Sequence, residues 1–123
     1  MSKVFINLSN HPSNRWDEDQ VKAAQSFGEI IDIPFPVIPA NADEQDIEKL
    51  AAEYLDRIIK YNCEAVMVQG EFTFSYQLTK LLLKEHITAL AACSERNVEE
   101  VTNPDGSISK KVNFRFVRFR RYT

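Results

Sequence analysis

Between Ser9 and Trp16 the chain packs two serines, two asparagines, a histidine, an arginine and its single tryptophan into eight residues. Ser9, Asn10, Ser13 and Arg15 carry groups that hydrogen-bond phosphate or ribose oxygens, and Trp16 offers a face on which a base can stack. The plain alternative is helix capping by Ser13 or Asn14, with Trp16 in the core. His11 brings in the imidazole, the side-chain type best suited to proton transfer at physiological pH. It is therefore the candidate to protonate a leaving 5′-oxygen or to activate a 2′-hydroxyl. Its plain alternative is a structural histidine bonded to backbone before Pro12.

A second polar cluster is Gln69-Gly70-Glu71-Phe72-Thr73. Gly70 would let backbone approach a ligand closely. Thr73 is expected just before a helix whose free N–H groups suit a phosphate. Glu71 is a candidate base or ribose contact, or else a favourable partner for the helix dipole. A third cluster is Ser94-Glu95-Arg96, where Arg96 could clamp a phosphate with two hydrogen bonds or pair with Glu95, Glu99 or Glu100. Neither the Gly-x-x-x-x-Gly-Lys nor the Gly-x-Gly-x-x-Gly phosphate loop is present. No metal-ligand spacing and no separable Ser/His/Asp set is found, so neither a metal nor a cofactor is expected. Cys63 and Cys93 fit no disulfide or metal spacing and read as small apolar side chains.

The elements that would position these clusters follow from periodicity. Residues 3–8 form a first strand and 17–27 a weak helix, with Gly28 at its C-terminal cap. Residues 29–33 form a second strand, ended by Pro34, Pro36 and Pro39. Ile47, Leu50, Ala51, Tyr54, Leu55, Ile58 and Ile59 mark an amphipathic helix. Asn41 and Glu44 offer it a capping box and Asn62 a left-handed stop. Residues 64–69 are a third strand, 73–86 a third helix and 87–93 a fourth strand. Residues 97–102 and 108–120 flank the turn Asn103-Pro104-Asp105-Gly106 as an antiparallel hairpin. On the last arm, strict alternation would place Arg118 and Arg120 on the face of Phe114 and Phe116, and a bulge near Val117 would repair this.

The expected fold is one α/β domain with a mainly parallel sheet of order 2-1-3-4. Residues 1–96 form its βαβαβαβ core and residues 97–123 a hairpin at the sheet edge. Ligands in such sheets sit beyond the carboxyl ends of the strands, where strand order reverses. That places the three clusters around one crevice, and Asn10, Gly70 and Arg96 are expected to share a cavity there.

The chain has 123 residues and a net charge of −3, with 44% hydrophobic residues, which suits a folded domain. No apolar run nears a membrane span and no signal-peptide core is seen, so the protein is read as cytoplasmic. Residues 17–56 hold eleven acids and two bases, whereas 110–123 hold six bases and no acid. Either the two stretches pair, within a protomer or across a dimer, or the basic end faces an anionic ligand.

The segments NLSNHPS (7–13) with Trp16, VQGEFTFSY (68–76), CSERNVEE (93–100) and FRFVRFRRY (114–122) resemble small CRISPR-associated ancillary proteins of type III systems. Those proteins are related to the CRISPR-associated Rossmann-fold (CARF) sensors. The resemblance spans nearly the whole chain. It implies a Rossmann-like three-layer fold, a homodimer and recognition of cyclic oligoadenylate, commonly cyclic tetra-adenylate. It also implies either a metal-independent ring nuclease or a sponge that holds the messenger intact. In a ring nuclease the ligand's own 2′-hydroxyl attacks, so the protein need only align it, stabilise charge and move a proton.

Carried over residue by residue, Ser9, Asn10, His11, Ser13 and Trp16 fall in the first-strand loop. Gln69, Gly70, Glu71 and Thr73 fall in the third-strand loop, and Ser94 and Arg96 beyond strand four. His11, Glu71 and Arg96 are the catalytic candidates, and the other residues, with Arg96, the ligand contacts. These loops hold no lysine, which speaks against a mechanism relying on strong phosphate neutralisation and leaves a sponge or a slow enzyme open beside the ring nuclease. Membrane and duplex nucleic acid are not expected as partners, and assembly beyond a dimer stays open. Two further classes compete: a non-enzymatic interaction module acting through the basic hairpin, and a small-molecule enzyme of flavodoxin-like shape.

Overall fold

Chain order alternates strand and helix until the last two strands. In the computed structural model, which describes residues 2–123, the elements are β1 (Val4–Ser9), α1 (Glu18–Gln25), β2 (Glu29–Asp32), α2 (Glu44–Ile58), β3 (Cys63–Gln69), α3 (Phe72–Lys84), β4 (Thr88–Thr102) and β5 (Ile108–Arg121). They build an α/β fold with a five-stranded sheet of order β2-β1-β3-β4-β5. β1 pairs in parallel with β2 and β3, and β3 with β4, whereas β4 and β5 are antiparallel.

The sheet is mixed, and its longest pairing is the antiparallel one. Strand four and the first hairpin arm, expected as separate elements, are one 15-residue strand. β3 accompanies β4 only from Thr88 to Leu90. Beyond that point β5 is its sole partner, and the two leave the sheet as a ribbon. The expected division at residue 96 therefore falls inside a strand, and Ser94-Glu95-Arg96 is strand rather than loop.

Both faces of the central strands are covered, which explains why all six residues of β1 are buried. Ile6, Leu8, Val66 and Val68 meet Ile47, Ala51, Ile58, Phe74, Leu78 and Leu82 of α2 and α3 on one face. Phe5, Ala65, Met67 and Leu90 meet Ala24 of α1, with Trp16, Phe27 and Phe119 packed around them, on the other. The two-residue side-chain period of a strand makes this division.

The expected bulge is present. Cys93 pairs with Arg118 and Ser94 with Phe116, so Val117 is the extra residue. It keeps Phe114, Phe116 and Phe119 on the α1 face, and the rings of Phe116 and Phe119 lie 4.9 Å apart. Arg118 and Arg120 fall on the opposite face.

Other local expectations shift. The capping box of α2 is Asp43 with Asp46, not Asn41 with Glu44. Asn62 does not provide a left-handed stop, because α2 ends through right-handed Ile59. The left-handed residue is His86, at φ 58° after α3. Gly28 has φ 155°, and a Cβ there would lie 2.2 Å from the Lys3 carbonyl oxygen, so the turn into β2 requires glycine.

Candidate functional site

A polar knot shapes the end of β1. Asn7 is buried within the strand, and its Nδ2 donates to the His11 carbonyl and to Asp32 Oδ1, both at 2.9 Å. The Ser9 hydroxyl donates to Asn7 Oδ1 at 2.7 Å and accepts from the His11 N–H. Ser13 donates its N–H and hydroxyl to the Asp32 carboxylate. Buried polar groups need such partners, and here they hold the turn in one shape. Ser9 and Ser13, expected as ligand contacts, spend their hydroxyls on this turn. Ser13 thus holds this turn to β2 through Asp32.

The turn aims His11, Arg15 and Trp16 at the α1 face of the sheet. Trp16 donates its indole N–H to the His11 carbonyl at 3.1 Å. Its ring stands edge-on to Phe5 and Phe119, with centroids 6.2 and 6.5 Å away. Trp16 is therefore core on one side and wall on the other. Between this turn, α1 and the root of the ribbon lies an open crevice of about 590 Å³. It is lined by Ser9, His11, Arg15, Trp16, Asp17 and Gln20, by Met67 and Gln69 of β3, by Ala92 and Ser94 of β4, and by Phe114 and Phe116 of β5. Gln69 joins the strands where the ladder ends, its Oε1 accepting the Ala92 N–H at 2.8 Å. Asp17 fixes the ribbon to the start of α1 by accepting the Phe116 N–H at 2.9 Å.

Six residues marked in the sequence thus meet in one crevice: Ser9, His11, Arg15, Trp16, Gln69 and Ser94. The others do not. Asn10 lines a separate crevice of about 280 Å³ beside Asp32 and Phe35. Gly70 lies under Phe35, whose ring atoms would stand 2.5 Å from any Cβ there. Arg96 is exposed on β4, paired with Phe114 in the ladder. Asn10, Gly70 and Arg96 share no cavity, and the grip they were expected to form is absent.

The start of α3 is likewise occupied. Thr73 lies inside the helix rather than before it, and Glu71 is the N-cap. The Glu71 carboxylate accepts the Phe74 N–H and the Thr73 hydroxyl, each at 2.7 Å. The Thr73 hydroxyl, followed by the Phe74 N–H, holds the Glu71 carboxyl below its ordinary value of 4.5. A carboxylate that remains ionised here fills the helix terminus and repels a phosphate. Glu71 caps the helix, and Thr73 donates to that cap.

Gln20, Asp17, Phe114 and Phe116 were not marked as site residues. Gln20 is buried, and its Nε2 lies 3.7 Å from Met67 Sδ as a long donor contact. Its signal was a polar residue on the inward face of a weak helix. Phe114 and Phe116 were read as part of the hairpin at the sheet edge.

Within one protomer, and among the described residues, no ion pair joins the basic tail to the acidic stretch. Among the described residues the ion pairs are Lys3–Glu64 and Lys22–Glu18. Lys110, Lys111 and Arg115 instead stand opposite Glu100, Glu99 and Glu95 in the ladder. Burial pushes the Cys63 thiol up to about 11, as suits a packed rather than a reactive cysteine. Among the described residues no group of three or more His, Cys, Asp or Glu side chains is placed to hold a metal, and no helix is long and apolar enough to cross a membrane.

No curated protein and no solved structure matches the chain. A family model does match, over residues 3–120: the chain belongs to the family described as Uncharacterized protein MJ1673.

Proposed function

We propose that this protein binds cyclic oligoadenylate, of which cyclic tetra-adenylate is the first to test, in the crevice beside α1. In doing so it lowers type III CRISPR antiviral signalling in the cytoplasm, as a homodimer of Rossmann-like, CARF-related subunits. The single observation carrying this reading is the meeting of Ser9, His11, Trp16, Gln69 and Ser94 with Arg15 around one cavity of about 590 Å³. A space of that size, within the roughly 300–1,000 Å³ of small-ligand sites, takes one or two nucleotide units of the ring. Trp16 supplies flat apolar surface for adenine. Arg15 supplies a fork for phosphate, and Gln69 and Ser94 supply polar groups for base or ribose edges.

Sequestration is favoured over rapid cleavage. Of the three catalytic candidates only His11 lines the crevice. Glu71 is committed to the α3 cap and Arg96 lies on the ribbon. A lone histidine can assist proton transfer, but charge stabilisation would rest on Arg15.

Incubation with radiolabelled cyclic tetra-adenylate tests the proposal. A mobility shift with intact ligand is expected. Linear product ending in 2′,3′-cyclic phosphate would identify the ring nuclease instead, and the absence of binding at micromolar protein would remove the ligand class. A second reading, an interaction module acting through the hairpin, is supported by the apolar side chains the ribbon leaves in solvent. It predicts that deleting residues 110–123 abolishes partner binding while nucleotides leave the melting temperature unchanged.

A further inference from the structure

The ribbon has two unlike faces. One carries the rungs Ser94/Phe116, Arg96/Phe114, Val98/Val112, Glu100/Lys110 and Thr102/Ile108. The other carries Glu95/Arg115, Asn97/Asn113, Glu99/Lys111 and Val101/Ser109. The first face continues the α1-side core outward, from Phe119 through buried Phe116 to side chains that nothing covers. Phe114 is 67% exposed, Ile108 66%, Val98 50% and Val112 43%. The second face is polar except for Val101. A ribbon solvated on both sides has no need of this asymmetry, which is the mark of a sheet that packs against something.

The order of rungs identifies the occupant. We propose that a second copy of this chain covers the face, the two ribbons stacking antiparallel about a two-fold axis through the Val98/Val112 rung. Such an axis, lying between the ribbons and across their strands, sets β4 over β4 and β5 over β5 with rungs in reverse order. Val98 and Val112 then meet their own counterparts. Arg96 meets the partner's Glu100, and Phe114 meets the stem and ammonium of the partner's Lys110. These contacts pair apolar with apolar, opposite charges, or cation with ring. Stacking in the same direction would drive one α1 layer into the other, because α1 covers this face of each body. The antiparallel arrangement places the bodies at opposite ends.

The stacked rungs from Ser94 to Thr102 span about 27 Å at ~3.4 Å per residue. Each ribbon tip reaches the root of the other, so the partner's Thr102 and Ile108 stand at the open side of the crevice beside Ser94 and Phe116. This inference deepens the homodimer of the proposed function, but it rests on the ribbon alone and needs no ligand.

The test is sedimentation equilibrium of the full chain without nucleotide, on wild type, Arg96→Glu, Glu100→Arg and the double variant. Circular dichroism confirms that each is folded. A wild-type dimer is expected. Each single variant sets like charges against each other twice per dimer and should weaken association about tenfold or more. The double variant restores opposite charges and should recover wild-type association to within about threefold. A monomeric wild type, or a dimer that tolerates either single reversal, would overturn the proposal. So would a double variant as weak as the singles. Loss of cyclic tetra-adenylate binding with the dimer intact would count against the ligand and leave the interface standing.

Discussion

Two polar rims adjoin the carboxyl ends of the central strands, and neighbouring segments fill them differently: the α1 side keeps a crevice of about 590 Å³, whereas Thr73 on the α3 side lines one of about 330 Å³. Beside α1, the turn after β1 folds back on buried Asn7 and leaves His11, Arg15 and Trp16 around a cavity. Beside α3, the turn after β3 has similar composition, yet Phe35 covers Gly70 and Glu71 closes the helix terminus. The difference comes from the neighbouring segments. The chain after β2 crosses the α3 rim and packs Phe35 edge-on to Phe74, with centroids 5.2 Å apart. The ribbon, by contrast, adds Phe114 and Phe116 as a wall beside the α1 rim.

The sharpest way to break this comparison is to crowd the α3 rim. Gly70→Val sets branched carbon against the Phe35 ring and should cost about 2–3 kcal/mol in urea unfolding, the upper range for overpacking. The folded fraction should keep its affinity for cyclic tetra-adenylate. An unchanged midpoint would show that Phe35 yields and does not fill the rim.

Asn7→Ala attacks the α1 rim from beneath. It removes the donor for the His11 carbonyl and for Asp32, and should cost about 1–3 kcal/mol. Because that carbonyl also receives the Trp16 N–H, ligand affinity should fall as well. Lost stability with full affinity would separate the knot from the crevice.

Glu71→Gln should have the smallest effect, about 0.5–1 kcal/mol for an exposed cap at neutral pH. Glu71 is held below its ordinary value in the folded state. Its contribution is therefore complete above the ordinary glutamate range and lost as pH falls through the folded value. Stability curves of wild type and variant should converge at acid pH. A gap that persists there would assign the effect to packing.

Much of the fold was legible. Alternation of strand and helix, the apolar period of α2, the turn at Asn103-Pro104-Asp105-Gly106 and the Val117 bulge are local signals, and local geometry obeys them. The joining of residues 88–102 into one strand was hidden because Ser94-Glu95-Arg96 is polar. Its continuity comes from pairing with β5, which periodicity along one strand does not report. The site was half legible for a related reason. Ser9, Gln69 and Gly70 sit at strand ends, as rim residues must. Whether such a residue faces a cavity, caps a helix or lies under an aromatic ring depends on Phe35 or Phe114, remote in sequence. Asn7 and Asp32 escaped notice because each lies within a strand.

Trp16 is the chain's only tryptophan and stands in the crevice wall, so its fluorescence reports the central claim directly. Titration with cyclic tetra-adenylate should change its emission to saturation. Arg15→Ala should weaken that transition by about 1–3 kcal/mol, the size of a lost charged hydrogen bond, and Thr73→Ala should leave it within about twofold. Emission that stays constant while a radiolabelled ligand binds, or binding lost in Thr73→Ala and kept in Arg15→Ala, would contradict the account.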